Sequence, residues 1–173
     1  MVAGVTASIA VSIKSQLVGV GDLGTPRAPV NLDALLQLTG GTDATSKANI
    51  LFADNRTLAA SATENLDLAG ALADALGATF TAAEVVAIYV RAVAANTNSV
   101  VVFGAASNAF NGPLSGTTPK LTLTLAPGDF ALLTCKNGWA VTAGTGDLIL
   151  VANSGAGTPV SYDIVIIGRT AAA

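Results

Sequence analysis

The stretch Leu121-Thr122-Leu123-Thr124-Leu125-Ala126-Pro127-Gly128-Asp129-Phe130-Ala131-Leu132-Leu133-Thr134-Cys135-Lys136-Asn137-Gly138-Trp139 decides the fold class. Leucine and threonine alternate through 121–125, the period of a strand with one buried face and one wet face. Ala126 to Asp129 places Pro and Gly where a type II turn wants them. Phe130 to Cys135 reads as a second strand. Asn137-Gly138 tolerates positive φ at both centres of a tight hairpin, so Trp139 to Thr142 is expected to return beside it.

Working toward the C-terminus, Asp147 to Ala152 and Tyr162 to Ile167 are two more β-branched runs around a Gly155-Ala156-Gly157 turn. Working back, Glu84 to Ala94 and Val100 to Phe103 read as a hairpin joined by Asn96-Thr97-Asn98, ahead of a Gly/Pro-rich loop over 108–119. Ala69 to Leu76 is Ala-rich and ends at Gly77, which predicts a short helix with a glycine cap. Asn49 to Ala53 and the alternating leucines of 64–68 predict further strands.

The first 45 residues differ. Val5, Ala7, Ile9, Val11 and Ile13 alternate with polar or small residues, a half-buried strand pattern. Gly19 to Pro29 is turn-rich, Val30 to Leu38 is apolar with an ambiguous period, and Gly40-Gly41-Thr42-Asp43 breaks the chain again. The expected organisation is an N-terminal arm or outlying strands over 1–45 and a sandwich domain over 46–173. Many short strands at turn-punctuated spacing predict an all-β protein: a β-sandwich of jelly-roll type with one short helix and an extended N-terminal arm.

Composition bounds the function. Of 173 residues only 11% are charged, while 51% are hydrophobic, against about 25% charged in an average soluble domain. Interfaces that stay covered are depleted in charge, so much of this surface is expected to lie against other subunits. The basic residues stand singly, which argues against nucleic acid as a partner. No apolar run reaches the 18 or so residues of a membrane-spanning helix. The first residues lack the pattern of a secretory signal, so folding in a cytoplasm is expected.

Catalytic chemistry is poorly provided for. With no His and one Cys, triads of the Ser-His-Asp kind and imidazole or thiolate zinc sites are excluded. Cys135 reads as a small buried hydrophobe in a strand. The glycine pairs lack the Gly-Lys-Ser/Thr ending of a phosphate loop, and the acids sit beside turns. No enzyme activity, cofactor or metal is expected. Trp139 reads as a core anchor, and Arg91 either faces solvent or pairs with an acid at an interface.

Several segments resemble small structural proteins of tailed bacteriophages: Arg56-Thr57-Leu58-Ala59-Ala60-Ser61-Ala62-Thr63-Glu64-Asn65-Leu66-Asp67-Leu68-Ala69-Gly70, Ala95-Asn96-Thr97-Asn98, Val141-Thr142-Ala143-Gly144-Thr145-Gly146-Asp147, Asn153-Ser154-Gly155 and Tyr162-Asp163-Ile164-Val165-Ile166-Ile167-Gly168. The resemblance spans roughly 50–168. It implies a virion component made in the host cytoplasm, and among virion roles a capsid decoration, or cement, protein on the capsid surface. Such a protein is a homo-oligomer, commonly a trimer, bound across joints of the major capsid protein. A tail-tip or fibre host-binding module and a tail-tube or head-completion component are the alternatives. The candidate assembly residues are Val5, Ile9, Val11 and Ile13 on the arm, with Arg91.

Overall fold

A computed structural model describes residues 4–42, 45–114 and 121–172. Residues 1–3, Asp43 of the 40–43 break and the 115–119 part of the expected loop lie outside the described residues. The described chain is all-β. Its strands are β1 (Ala7–Val18), β2 (Arg27–Gly40), β3 (Lys47–Ala48), β4 (Ile50–Leu58), β5 (Thr63–Asp67), β6 (Ala69–Ala73), β7 (Thr79–Thr81), β8 (Glu84–Ala92), β9 (Val100–Val102), β10 (Leu123–Leu125), β11 (Phe130–Ala140), β12 (Leu148–Asn153) and β13 (Val160–Arg169).

Two four-stranded antiparallel sheets build the body. One, here the front sheet, has the order β11-β8-β13-β4; the back sheet has the order β10-β9-β12-β5. Strict alternation supplies the reason they face each other. Ile164 and Ile166 of β13, Ile88 and Val90 of β8 and Phe52 of β4 point inward from the front sheet. They meet Leu66, Val100, Val102, Ile149 and Val151 from the back sheet in one core. Each fully buried Val, Leu or Ile there contributes roughly 1.5–3 kcal/mol relative to exposure. Counting only the eight body strands from β4 to β13 that form these two sheets, the first pairs with the eighth, the second with the seventh, the third with the sixth and the fourth with the fifth.

That pairing corrects the expected hairpins. β8 and β9 belong to different sheets, so Asn96-Thr97-Asn98 forms a corner between layers instead of a hairpin turn. Asn96 staples this corner, donating from Nδ2 to the Ser161 carbonyl at 2.8 Å and accepting the Ser161 N–H on Oδ1 at 2.8 Å. Asn137-Gly138 does not turn a hairpin either. β11 runs straight through it, with the register against β8 shifting between Thr134 and Trp139. The four residues between them bulge out of the ladder, as extra residues in one strand must. Gly138 has φ +85°, and a Cβ there would lie 2.7 Å from both Arg169 Nη2 and Glu84 Oε2. Cys135 is half-buried in the same bulge, not deep in a paired strand.

The expected helix over 69–76 is absent; no helix occurs among the described residues. Ala69–Ala73 and Thr79–Thr81 pair as the β6–β7 hairpin instead. An isolated eight-residue helix cannot offset its nucleation cost. Asp74 offers the backbone an alternative, accepting the N–H groups of Leu76 and Ala78 on Oδ1, both at 2.8 Å. Gly77 at φ +82° closes that turn. The hairpin then buries Leu72 and Phe80, whose ring lies 6.3 Å from that of Phe52.

Residues 4–42 form the long antiparallel hairpin of β1 and β2, with β3 added in parallel at the end of β2. The hairpin stands on the outer face of the front sheet. Its base joins a second, smaller core in which Val5, Ala7, Ile9 and Leu36 pack around Leu38, Ala48, Val86, Ala87 and Ile167.

Candidate functional site

Two polar networks stand in the body. At the edge where β4 faces β5, Arg56 donates from Nε and Nη2 to Glu64 Oε2 at 2.9 and 2.6 Å. Its Nη1 reaches Asp54 Oδ2 at 2.9 Å. The Tyr162 hydroxyl donates to Glu64 Oε1 at 2.7 Å. Burial, reinforced by the Glu64 carboxylate, pushes the Tyr162 phenol well above its ordinary range, and the hydrogen bond to Glu64 pushes the Arg56 guanidinium up too. A phenol held neutral and a guanidinium held charged cannot exchange protons near neutrality. The network seals an open sandwich edge with satisfied polar groups.

The second network is buried deeper. Arg169 is fully buried and donates from Nε to Glu84 Oε2 at 2.5 Å, and its Nη2 donates to the Asn137 carbonyl in the β11 bulge. The bulge therefore brings a backbone oxygen to the buried guanidinium. Asp147 is also buried; its Oδ2 accepts the Gly144 N–H at 2.6 Å, while Oδ1 has no hydrogen-bond partner. Among the described residues no three His, Cys, Asp or Glu side chains are grouped to hold a metal ion.

The unusual surface is the hairpin. In β1–β2 the register sets Ile9 opposite Leu36, Val11 opposite Ala34, Ile13 opposite Leu32 and Leu17 opposite Ala28. These residues share one face, because side chains alternate along each strand. The face is apolar but for Ser15, which lies opposite Val30, yet only its base meets the body. Val11 is 40% exposed, Ile13 50%, Leu32 59% and Leu17 75%. At the tip, Val20 and Leu23 are fully exposed.

Two grooves flank the hairpin where it crosses the front sheet. One runs beside β1, walled by Ser8 to Ser12 and floored by Ala87, Tyr89, Phe130, Leu132, Val165 and Ile167, with a volume of about 580 Å³. The other runs beside β2, between Ala34–Leu36 and Leu132, Thr134 and Lys136. Phe130 is 64% exposed and stacks obliquely on Tyr89 at 6.0 Å.

The structure thus places Val5, Ile9, Val11 and Ile13 on the hairpin, with Val5 and Ile9 packed at its base and Val11 and Ile13 on the exposed stretch. Arg91 lies elsewhere, beyond the groove on the front sheet's outer face. There it pairs with Asp163 Oδ2 through Nη2 at 2.5 Å, and Asn55 donates to Asp163 Oδ1 at 2.6 Å. Trp139 is half-buried against the main core. Sequence reading missed Val30, Leu32, Tyr89, Phe130 and Leu132. The signal for the first two was present: Ala28, Val30, Leu32, Ala34, Leu36 and Leu38 alternate strictly, but the out-of-phase Leu35 masks the period.

No protein-family model matches the chain, and no curated protein matches it. A solved chain from the disulfide-linked pili of Bacillus endospore appendages aligns over 70% of this chain and 89% of its own, at 16% identity and a TM-score of 0.34. A superposition this loose carries no inference about this chain.

Proposed function

We propose that this protein is a non-enzymatic structural subunit that works by assembly, and that the assembly is a tailed-phage particle in which it decorates the head. The observation that carries the reading is the hairpin: a largely apolar face, broken by Ser15 alone, that leaves its own body and stays uncovered. Large exposed apolar patches mark interaction surfaces, and an isolated two-stranded hairpin is marginal in water. Association that covers this face would offset both costs. The low charge of the whole chain supports the same reading.

The body supports a jelly-roll reading of the sandwich. Pairing of first with eighth, second with seventh, third with sixth and fourth with fifth strands is what a long folded ribbon gives when rolled into two sheets. The segments that resemble phage structural proteins include the staples of this roll, among them Asn96 and Asn153. Asn153 donates to the carbonyls of Ala59 and Thr158 at 3.0 and 2.8 Å and accepts the Gly155 N–H at 3.2 Å. They support a shared scaffold, and the hairpin supplies the means of attachment to copies of itself and to the major capsid protein.

Electron cryomicroscopy of the particle that carries this chain tests the reading. Density for the sandwich over joints between capsid subunits, in fixed copy number, is the expected result. Its location in the tail, or its absence from every particle, would overturn the decoration role.

A further inference from the structure

The hairpin's two outer edges are not equivalent. The Gly19 N–H bonds the Pro26 carbonyl at 2.9 Å. With the register of Leu17 opposite Ala28, this fixes the hydrogen-bonding phase. Odd-numbered residues of β1 and even-numbered residues of β2 bond across the hairpin. The outward N–H groups of β2 therefore belong to odd residues, and one of these is Pro29, which has none. β2 is further closed at its end, where the Thr39 N–H bonds the Ser46 carbonyl at 3.1 Å. A proline on an edge is a common device against strand addition.

β1 carries no such device. Its outward residues are Ser8, Ala10, Ser12, Lys14, Gln16 and Val18, with no proline and one charge. Among the described residues β1 pairs with β2 alone, which leaves its other edge open. The larger groove lies directly beside that edge. A strand added to β1 would lay every second side chain on the apolar floor of Tyr89, Phe130, Leu132 and Val165. The groove thus calls for a specific occupant: an extended segment, apolar at alternate positions, small or polar between them, and without proline.

We infer that the occupant is β1 of a second copy, added antiparallel about a twofold axis. This deepens the assembly reading above and rests on it. Three observations favour a second copy over another partner. First, β1 itself has the required pattern. When its even residues pair with even residues, its odd apolar residues fall on the groove side in both copies, as an isologous contact demands. Second, the hairpin has no net charge to repel a second copy, since Lys14 and Arg27 are balanced by Asp22 and Asp33. Centred on Ser12, the pairing sets the second copy's Ile13 opposite Val11 and its Leu17 opposite Ala7, and it sets Lys14 opposite Ala10 instead of another lysine. Third, the area suffices. On the groove face Val11, Ile13, Leu17, Val30 and Leu32 are exposed and present roughly 500 Å²; with Phe130 and the groove floor this approaches the ~800 Å² per partner of a stable interface. The contact is twofold, so it predicts a dimer where the resemblance implies a trimer.

Sedimentation of the full chain across a micromolar concentration series tests this. The expected result is a reversible dimer. Ala10→Pro removes an outward N–H without touching the β1–β2 ladder. The twofold counts its loss twice, so dimerisation should weaken about 10- to 100-fold. Asn31→Pro, on the outward edge of β2, should leave it unchanged. Thermal unfolding followed by Trp139 fluorescence checks that both variants keep the body folded. A monomer at every concentration, a trimer, or a dimer indifferent to Ala10→Pro in a folded protein would each overturn the pairing. A dimer that is lost with Ala10→Pro but decorates no capsid would uphold the pairing and remove the decoration role.

Discussion

β13 and β1 are both long strands written in alternating apolar residues, and the structure treats them oppositely. Along Val160–Arg169 the inward residues are all buried, and Ile164, Ile166 and Tyr162 have no exposure. Along Ala7–Val18 nothing is buried; the pattern falls from half-buried at the base to exposed for the rest of the strand. β13 lies between β8 and β4 and beneath a second sheet, whereas β1 has one neighbouring strand and hangs past the body. Alternation states that a face wants cover. It does not state whether the same chain supplies it.

The largest effect that separates the two regions concerns the buried ion pair. Arg169→Ala leaves the Glu84 carboxylate in the core without its guanidinium, and breaking a buried pair costs about 3–5 kcal/mol. Urea unfolding should show that loss in the free chain at any protein concentration. A loss below about 1 kcal/mol would mean that the carboxylate reaches water through the β11 bulge.

A matched pair of truncations sharpens the contrast. Ile164→Ala opens a cavity between the sheets and is expected to cost about 2–5 kcal/mol. Ile13→Ala removes the same atoms from a side chain already half exposed, and in dilute solution it should cost under about 0.5 kcal/mol. At high concentration the second variant should lose stability that the dilute protein never had, because association stabilises by mass action. Equal costs at low concentration would show that the hairpin is covered within one chain.

What the sequence made legible follows the same division. The strands of the body were readable because Leu121 to Leu125, Asp147 to Ala152 and Tyr162 to Ile167 alternate or run β-branched between Gly and Pro turns. Their partners were not. Asn137-Gly138 satisfies every local requirement of a hairpin, yet the Glu84–Arg169 pair draws that dipeptide into a bulge. The Ala69–Leu76 segment has helix-favouring composition, but burial of Leu72 and Phe80 against the core outweighs a propensity worth tenths of a kcal/mol per residue. For the candidate surface, Val5, Ile9, Val11 and Ile13 could be named from alternation. Tyr89, Phe130 and Leu132 could not, since the groove they floor exists only once β8 and β11 are adjacent.

A smaller effect tests the sealed edge of the body. Tyr162→Phe removes the donor to Glu64 Oε1 and should cost about 1–2 kcal/mol at pH 7. The pH dependence gives a second readout. The folded phenol titrates above its ordinary value of 10.0 because it is buried, and also because it faces the Glu64 carboxylate. Its contribution is therefore complete below about pH 10 and is lost as the pH rises further, since only the unfolded chain ionises there. Wild type should lose stability more steeply than Tyr162→Phe above that pH. Parallel curves would mean that the hydroxyl is solvated.

The smallest effect lies on the outer face of the front sheet, where apolar and polar ends adjoin. Asp163 is held below the usual carboxylate range first by the Asn55 amide; burial opposes this, and the Arg91 hydrogen bond and charge add to the lowering. A depressed carboxyl stabilises the fold above its unfolded pKa of about 4 and loses that contribution as pH falls through the folded value. Asn55→Ala or Arg91→Ala should thus cost under about 1 kcal/mol at pH 7, because both partners are exposed, and the difference from wild type should fade toward pH 2. The same variants bound the docking surface. Phe130 stands opposite Arg91 in the register, so this cluster borders the groove without lining it, and Arg91→Ala should leave self-association unchanged while Phe130→Ala weakens it. Equal weakening by both would extend the interface across the polar end and bring Arg91 into it.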